Sequence, residues 1–589
     1  MTESISSGKS LDQFPTEVKK INLSSGKSFS NVFEALIISL NLEERPSKTK
    51  TSLFGKQPPP FSFSVEDAIN KMCNLMLDIE LKMAKTTIAY NMKPTLAFDL
   101  LKKFFDAKLL HYPSSRTETK LSRHGTIQIT PKGAALVYAF CQNIGMPTKS
   151  MPPVVKSNFN TMELFMLERS ATNQSILYSD YLVTILFTWL MGPAPNIWSS
   201  EKSPDLISCI FDDTTSDDTF DFSRPSNGTI LSPVNDKAMA FRSASPFHHK
   251  YFTNPESDSH VQYYVSNTGV RLFKSKTFLN DDKKVIVDYC VSGKAIVQWL
   301  CDCTSVMTST EAVGLANLFI EANLLRQITV DEERFSNDRN AFYVLTEHGS
   351  EVCRWGRRSR SAAENSLSDV STKLQHDADF KGPSLKTIIR DPGLRLLFKM
   401  HMQRERCVEN VNAYVQISDF NNSEQQVLKL YQHYQTLEEG PRKKKVRNAI
   451  EFHTNKFYSR AFQLYSAYIS PESQFDLNID YKLRQDAQRL MALEGPMSPC
   501  VDHMMTPMTD KAFLTEHDIT ELDSPIGSDK TTYFRYENND LKKTVALVED
   551  IHRVFRQIGK SIFRLMEIDS YPKFINSAEY LNTTTCNVE

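Results

Sequence analysis

The sequence predicts a multidomain, mainly α-helical protein in which two winged-helix (α+β) modules precede an all-α helical bundle with a long inserted loop. Three observations carry that expectation. A chain of 589 residues exceeds what one hydrophobic core can organise and points to about three or four domains with linkers. An internal repeat sets Phe104-Phe105-Asp106-Ala107-Lys108-Leu109-Leu110 against Phe319-Ile320-Glu321-Ala322-Asn323-Leu324-Leu325, and Ile129-Thr130-Pro131-Lys132-Gly133 against Leu345-Thr346-Glu347-His348-Gly349. From Ser384 onward, apolar residues fall at helical spacing, most clearly Val548, Ile551, Phe555, Ile558, Ile562 and Leu565, which share one helix face.

Taken in order, residues 1–60 are rich in Ser, Lys and Thr and close on Pro58-Pro59-Pro60, the composition of a disordered polar tail. Order is expected to begin near Phe61. Residues 61–198 form the first winged-helix module with a helical extension, in which Tyr181 to Met191 reads as a buried helix too short to span a bilayer. Residues 199–260 combine the acidic run Asp212 to Asp221 with Ser203-Pro204, Ser232-Pro233 and Ser245-Pro246 and read as a flexible linker. The second module occupies 261–356, with each repeat copy ending a helix in Leu-Leu before a polar loop and a β-rich wing. Ser309-Thr310-Glu311-Ala312 is placed at the start of its next helix, as an N-cap. A further linker, 357–383, leads into the helical bundle at 384–582, which carries an insertion at about 494–540.

Composition narrows the chemistry. The 69 basic and 70 acidic residues give no global field toward nucleic acid or an anionic membrane. The polar Met1–Ser10 has no apolar run of signal-peptide length, so a cytosolic or nuclear chain with reduced thiols is expected. Ten cysteines and thirteen histidines raise the question of zinc, yet no CxxC pair or matching histidine spacing occurs and no metal is expected. Gly8-Lys9-Ser10 and Gly26-Lys27-Ser28 end like a phosphate-binding loop but lack its earlier glycine, where Glu3 and Ile21 stand. Without GxGxxG, HExxH or GxSxG, no autonomous enzyme and no cofactor are expected.

Gly293 to Leu300, followed by Ser309 to Ala312, resemble the DEP family of small winged-helix modules; the resemblance covers about Phe273 to Trp355 and extends to Phe61–Gly145 through the repeat. It implies a module that binds receptors or membranes. The segment Leu565-Met566-Glu567-Ile568-Asp569-Ser570-Tyr571-Pro572-Lys573-Phe574 through Leu581 resembles the closing motif of the regulator-of-G-protein-signalling (RGS) family. Leu397-Phe398 with Glu405-Arg406-Cys407-Val408-Glu409-Asn410-Val411 resembles the family's Glu-Asn signature, and Asn478-Ile479-Asp480 its Asn-hydrophobic-Asp loop. Together with DEP-like modules upstream, these motifs resemble the fungal regulators that desensitise pheromone signalling.

The resemblance implies a GTPase activator without catalytic residues of its own, acting on a GTP-bound G-protein α subunit. Asn478 would order the switch glutamine or threonine; Glu405, Glu409 and Asn410 would contact another part of the switches; Leu565, Asp569, Ser570 and Lys573 would complete the floor. It also implies DEP contact with the cytoplasmic tail of a G-protein-coupled receptor or with the membrane periphery, and a cytoplasmic protein recruited to the inner face of the plasma membrane. Lys573 stands where the family usually has arginine, which keeps the charge and loses the bidentate fork. Ser232, Ser245, Ser498, Thr506 and Ser524 precede proline and are candidate sites for a MAP-kinase-type kinase. Arg442 to Lys445 is read as a solvated basic loop. Two rival functions remain: a non-catalytic RGS-like scaffold, and a winged-helix DNA binder resting on Lys102, Lys103, Lys108, Arg116, Lys120 and Arg123. Glu311 and Glu321 on the matching helix of the second copy oppose phosphate contacts, so no nucleic acid is expected.

Overall fold

The computed structural model describes residues 9–10, 26–44, 59–197, 269–355, 382–493 and 541–585, apart from a few short stretches inside those ranges. The inserted loop 494–540, most of both linkers, and Ser232, Ser245, Ser498, Thr506 and Ser524 lie outside the described residues.

The first module is built from α1 (Gly26–Leu40), β1 (Ser62–Ser64), α2 (Val65–Cys73), a hairpin of β2 (Leu75–Leu81) and β3 (Ala84–Tyr90), α3 (Pro94–Asp106), β4 (Leu110–His111), β5 (Thr126–Ile129) and α4 (Pro131–Asn143). Strand β5 pairs antiparallel with both β1 and β4. Helix α1 corrects the expectation that residues 1–60 are a tail. Val32, Phe33, Leu36 and Ile37 are fully buried, and the Phe29 and Phe33 rings lie 4.8 and 5.3 Å from Phe104. The polar composition averaged over sixty residues hid this short run of helical spacing. Beyond α4 the chain passes through α5 (Pro153–Lys156) to α6 (Asp180–Met191), the buried helix expected from sequence. Ser179 caps its start and Gly192 (φ 73) ends it.

The second module joins β6 (Asn196–Ile197), β7 (Arg271–Asn280), β8 (Lys283–Ser292), α7 (Gly293–Cys303), α8 (Ser309–Glu321), β9 (Leu325–Gln327), β10 (Phe342–Leu345) and α9 (Glu347–Cys353). Its sheet runs β9-β10-β8-β7-β6. The cap of α8 is Thr308, whose hydroxyl accepts from the Glu311 N–H at 3.2 Å, one residue before the expected Ser309.

The sequence repeat has a physical basis in both modules. Lys108 (φ 63) and Asn323 (φ 52) take the left-handed conformation just before the Leu-Leu pair, and both pairs are buried. Thr130 and Thr346 then cap α4 and α9, donating their hydroxyls to the carbonyls of Lys108 and Asn323. Each accepts from the glycine N–H three residues on, at 3.0 and 2.9 Å. A Cβ on Gly133 or Gly349 would strike the carbonyl of Leu109 or Leu324, so the threonine-glycine spacing is a close-packing requirement.

The C-terminal bundle comprises α10 (Leu385–Arg390), α11 (Pro392–Arg404), α12 (Val408–Thr436), α13 (Pro441–Leu464), α14 (Tyr481–Leu493), α15 (Leu541–Leu565), α16 (Tyr571–Ile575) and α17 (Ala578–Thr585). Two five-residue π-helical turns, Tyr465–Ile469 and Met566–Ser570, follow α13 and α15. Phe420 sits between Phe457 and Phe555 at 4.5 and 5.2 Å, and the stripe Val548, Ile551, Phe555, Ile558, Ile562 is buried as its spacing predicts. The basic cluster Arg442–Lys445 is not in a loop: it forms the first turn of α13, with Lys443 paired to Glu439 at 2.7 Å. Proline at the first helical position after Gly440 starts that helix despite the like charges.

The modules share packed surfaces. Phe187 of α6 meets Phe319 of α8 at 5.4 Å, while Gly393 of α11 lies so close to Tyr181 and Leu182 that a Cβ would strike the Leu182 backbone nitrogen. Lys132 of α4 is buried against the second module and donates to the carbonyls of Cys301, at 2.6 Å, and Val306.

Candidate functional site

Seven of the eight residues singled out from sequence gather where α11, α12, α15 and α16 meet. Helix α11 ends at Glu405; Arg406 (φ 57) then turns the chain and the Cys407 N–H donates back to the Met402 carbonyl at 2.9 Å. This sharp turn sets Glu405 and Glu409 on either side of α12's start. Opposite them, the π turn at Met566–Ser570 presents Asp569. Lys573 Nζ bridges the two faces, 2.9 Å from Asp569 and 3.5 Å from Glu405. Those two carboxylates, Asp569 first, raise the Lys573 pKa, so the bridge is an ammonium at neutral pH. Ser570, buried, hydrogen-bonds the Cys407 side chain, and burial pushes that thiol up to about 11; it is not a nucleophile at neutral pH.

Beneath the rim, Glu409 is half-buried and burial raises its carboxyl pKa. Asn410 is buried, its N–H on the Cys407 carbonyl at 3.2 Å, and its Oδ1 has no hydrogen-bond partner among the described residues. An unsatisfied buried acceptor beside a surface turn is a reason to look for a partner that satisfies it. Leu565, half-buried, ends α15.

Asn478 stands apart from this cluster, exposed on the segment before α14, and is linked to it by a rigid frame. Arg484 donates to the carbonyls of Ile469 at 2.9 Å and Leu477 at 2.8 Å. Asp480 Oδ1 accepts from the Lys482 N–H at 2.7 Å and opens α14. Tyr468, next to Ile469, stacks on Phe475 at 5.6 Å and its hydroxyl accepts from Gln416 of α12 at 2.8 Å. The two π turns therefore flank the surface, one under each motif, as such turns often do at functional sites.

Residues 384–514 match the regulator of G protein signaling domain family. The chain carries an RGS domain. Residues 277–345 match the DEP family, and residues 28–157 match the fungal-differentiation regulator winged helix domain family. The first module is thus a winged helix, as expected, and the family it matches is a separate one from the DEP family matched by the second. Helices α15–α17 lie beyond the span matched to the RGS family yet complete the RGS bundle, with α12 packed along α15. Among curated proteins the chain is similar to the developmental regulator flbA of Emericella nidulans, 23% identical over 579 residues, covering 94% of this chain and 63% of the relative. It is also similar to regulator of G-protein signaling 1 of Schizosaccharomyces pombe, 21% identical over 344 residues, covering 58% of each. The chain therefore spans about three-fifths of the length of these relatives.

Three residues beside these motifs were not singled out from sequence. Ile568 and Tyr481 are 67% and 77% exposed. Ile568 lies three residues after Leu565 and would continue the α15 stripe, but the π turn rotates it to solvent while Met566 and Ser570 go inside. Tyr481 directly follows Asn478-Ile479-Asp480 and could have been flagged as an aromatic beside a polar motif. Arg484 gave no signal, because its role is to bond carbonyls brought together only by the fold. Pro572 lies in the first turn of α16, which continues directly from the Met566–Ser570 π turn.

Proposed function

We propose that this chain accelerates GTP hydrolysis on a heterotrimeric G-protein α subunit and so ends receptor signalling, of the pheromone type. The observation that supports this reading is the surface on which Lys573 ties Asp569 to Glu405 above the buried Asn410, with Asn478 on its own braced segment. None of these groups is an activated nucleophile or a metal-binding set. All of them are hydrogen-bonding groups held by packed helices, which suits the task of ordering another protein's loops. The α subunit supplies the transition-state arginine in cis and the glutamine that orients the attacking water, so a helper needs only to fix the switch segments. Asn478 orders the switch glutamine or threonine, Glu405, Glu409 and Asn410 hold a second segment, and Leu565, Asp569, Ser570 and Lys573 form the floor. On engagement, Asp569 exchanges Lys573 for a switch N–H or hydroxyl, a charge-assisted bond. The winged-helix and DEP modules carry the chain to a receptor's cytoplasmic tail at the inner face of the plasma membrane. Ser-Pro and Thr-Pro sites in the linker and insertion receive a proline-directed kinase, which phosphopeptide mass spectrometry during signalling would test.

The deciding experiment is single-turnover GTP hydrolysis by a purified inhibitory-class or pheromone-pathway α subunit with and without the full chain. The expected acceleration is roughly 30- to 1000-fold, equivalent to about 2 to 4 kcal/mol of transition-state ordering. Tight binding to the transition-state-mimic α subunit without acceleration would establish the scaffold reading instead, and no binding at all would overturn both. Arg484→Met is expected to lower the maximal acceleration about tenfold, or about 1.4 kcal/mol, because it frees the segment that aims Asn478. The half-saturating chain concentration should change little, and an unchanged maximal rate would refute the bracing role.

A further inference from the structure

Residues 158–276 fall between the winged-helix and DEP matches, and the described part of that segment touches both the DEP and the RGS domain. From Phe165 it runs extended, alternating its contacts as an extended chain alternates its side chains. Phe165 exchanges backbone bonds with the DEP domain, its N–H on the Cys303 carbonyl and its carbonyl on the Ser305 N–H, both at 3.0 Å. Leu167 donates to the Ser305 hydroxyl at 2.9 Å, and Arg169 grips both oxygens of Glu311 at 2.6 and 3.0 Å. Between them, Glu168 faces the RGS domain: Lys399 reaches it at 3.0 Å, and Arg395 through two nitrogens, Nε at 3.0 Å and Nη2. Burial alone would push this carboxyl's pKa up, but Lys399 and Arg395 hold it below the usual range.

A second clamp lies at Ser179. This residue caps α6, Asp391 caps α11 through the Gly393 and Leu394 N–H groups at 2.8 and 2.9 Å, and the Ser179 hydroxyl donates to Asp391 at 2.8 Å. Two helix N-termini are thereby joined through one buried carboxylate, whose pKa burial raises against the opposing pull of the Leu394 N–H, the Ser179 hydroxyl and the Gly393 N–H. Helix α11, held at Asp391, Arg395 and Lys399, extends about 20 Å at 1.5 Å per residue and delivers Glu405 and the Arg406 turn at its far end.

We propose that the strap formed by residues 165–170 and 175–191 is a positioning element of the RGS surface: Glu168 and Ser179 fix α11, and through it the Glu405–Asn410 turn, so that affinity for the partner depends on the DEP domain. This rests on the proposed α-subunit function for its kinetic arm only. The experiment uses the full chain as wild type, Glu168→Gln, Ser179→Ala and the remote control Lys443→Ala. Hydrogen exchange of the amides in residues 400–410 should quicken at least tenfold in the first two variants and stay at the wild-type rate in the control, with exchange in α12 beyond Asn410 and in α15 unaltered. The α-subunit concentration for half-maximal acceleration should rise about fivefold at unchanged maximal rate. Reciprocally, bound α subunit should slow exchange in residues 165–170 of the wild type and not of Glu168→Gln, since coupling between two sites is mutual. Unchanged exchange in residues 400–410 in both variants would overturn the proposal, as would a half-saturation equal to wild type. If the wild type fails to engage any α subunit, the functional reading falls while the exchange comparison still decides the clamp.

Discussion

Asn478→Ala in the full chain should reduce the maximal acceleration of GTP hydrolysis by roughly 30- to 1000-fold, a loss of about 2 to 4 kcal/mol, without lowering the chain's thermal stability. The two halves of that expectation come from different observations. Asn478 is exposed, and the segment that carries it is held by its neighbours: Arg484 on two carbonyls, Asp480 at the start of α14, Phe475 on Tyr468. Truncating an exposed side chain outside such a network usually changes stability by no more than about 0.5 kcal/mol. The whole effect should then appear in the transition state, where an amide that orders the water-orienting glutamine is lost. Asn410→Ala provides the contrast. Its side chain is buried at the start of α12 with Oδ1 unpaired among the described residues, so its removal alters both packing and partner binding. Hydrolysis unaffected by Asn478→Ala, alongside a wild type that does accelerate, would move the orienting role elsewhere on the surface, with the exposed Tyr481 the next side chain to test.

What the sequence disclosed follows from how local each signal is. The α15 stripe and the paired Phe-…-Leu-Leu and Thr-…-Gly segments were legible because their causes lie within a few residues: one helix face, a left-handed residue, a threonine cap and a glycine under a carbonyl. The motif around Asp569 lies beside the Glu405–Asn410 segment, as its inclusion in one candidate set requires, but its local shape was not legible. The π turn at Met566–Ser570 exposes Ile568, and no spacing rule predicts that extra residue. Helix α1 was missed because its apolar run is short and sits in a polar stretch. Arg484, Glu168 and Ser179 were invisible for a different reason. Their partners are 7 to 231 positions away, and a lone arginine, glutamate or serine in sequence is indistinguishable from a solvated one.

Lys132 belongs to that last group, and its burial predicts an unusual pH dependence of stability. Its ammonium lies between the first module and the DEP domain, only 2% exposed, bonded to the carbonyls of Cys301 and Val306. Burial lowers its pKa from 10.5 to about 8, against the opposing pull of Cys301, Asp302 and Glu311. Below pH 8 both the folded and the unfolded chain hold the proton, and this group gives no slope. Between pH 8 and 10.5 the folded chain has released the proton and the unfolded chain retains it, so unfolding takes up a proton and stability rises with pH. Over that window the gain is about 3 kcal/mol at 1.36 kcal/mol per pKa unit. Lys132→Met removes the titration. It also removes the desolvation penalty while leaving two buried carbonyls bare at about 1 to 3 kcal/mol each, so wild type and variant should differ little at pH 7.5. Urea unfolding at pH 7.5 and 10.5 should therefore show the wild type pulling ahead of Lys132→Met by about 3 kcal/mol, with other alkaline titrations cancelling in the difference. A difference that stays flat would mean that the ammonium keeps its water and that the first module does not dock on the DEP domain through this residue. A rising difference would establish a buried lysine as the contact that joins them.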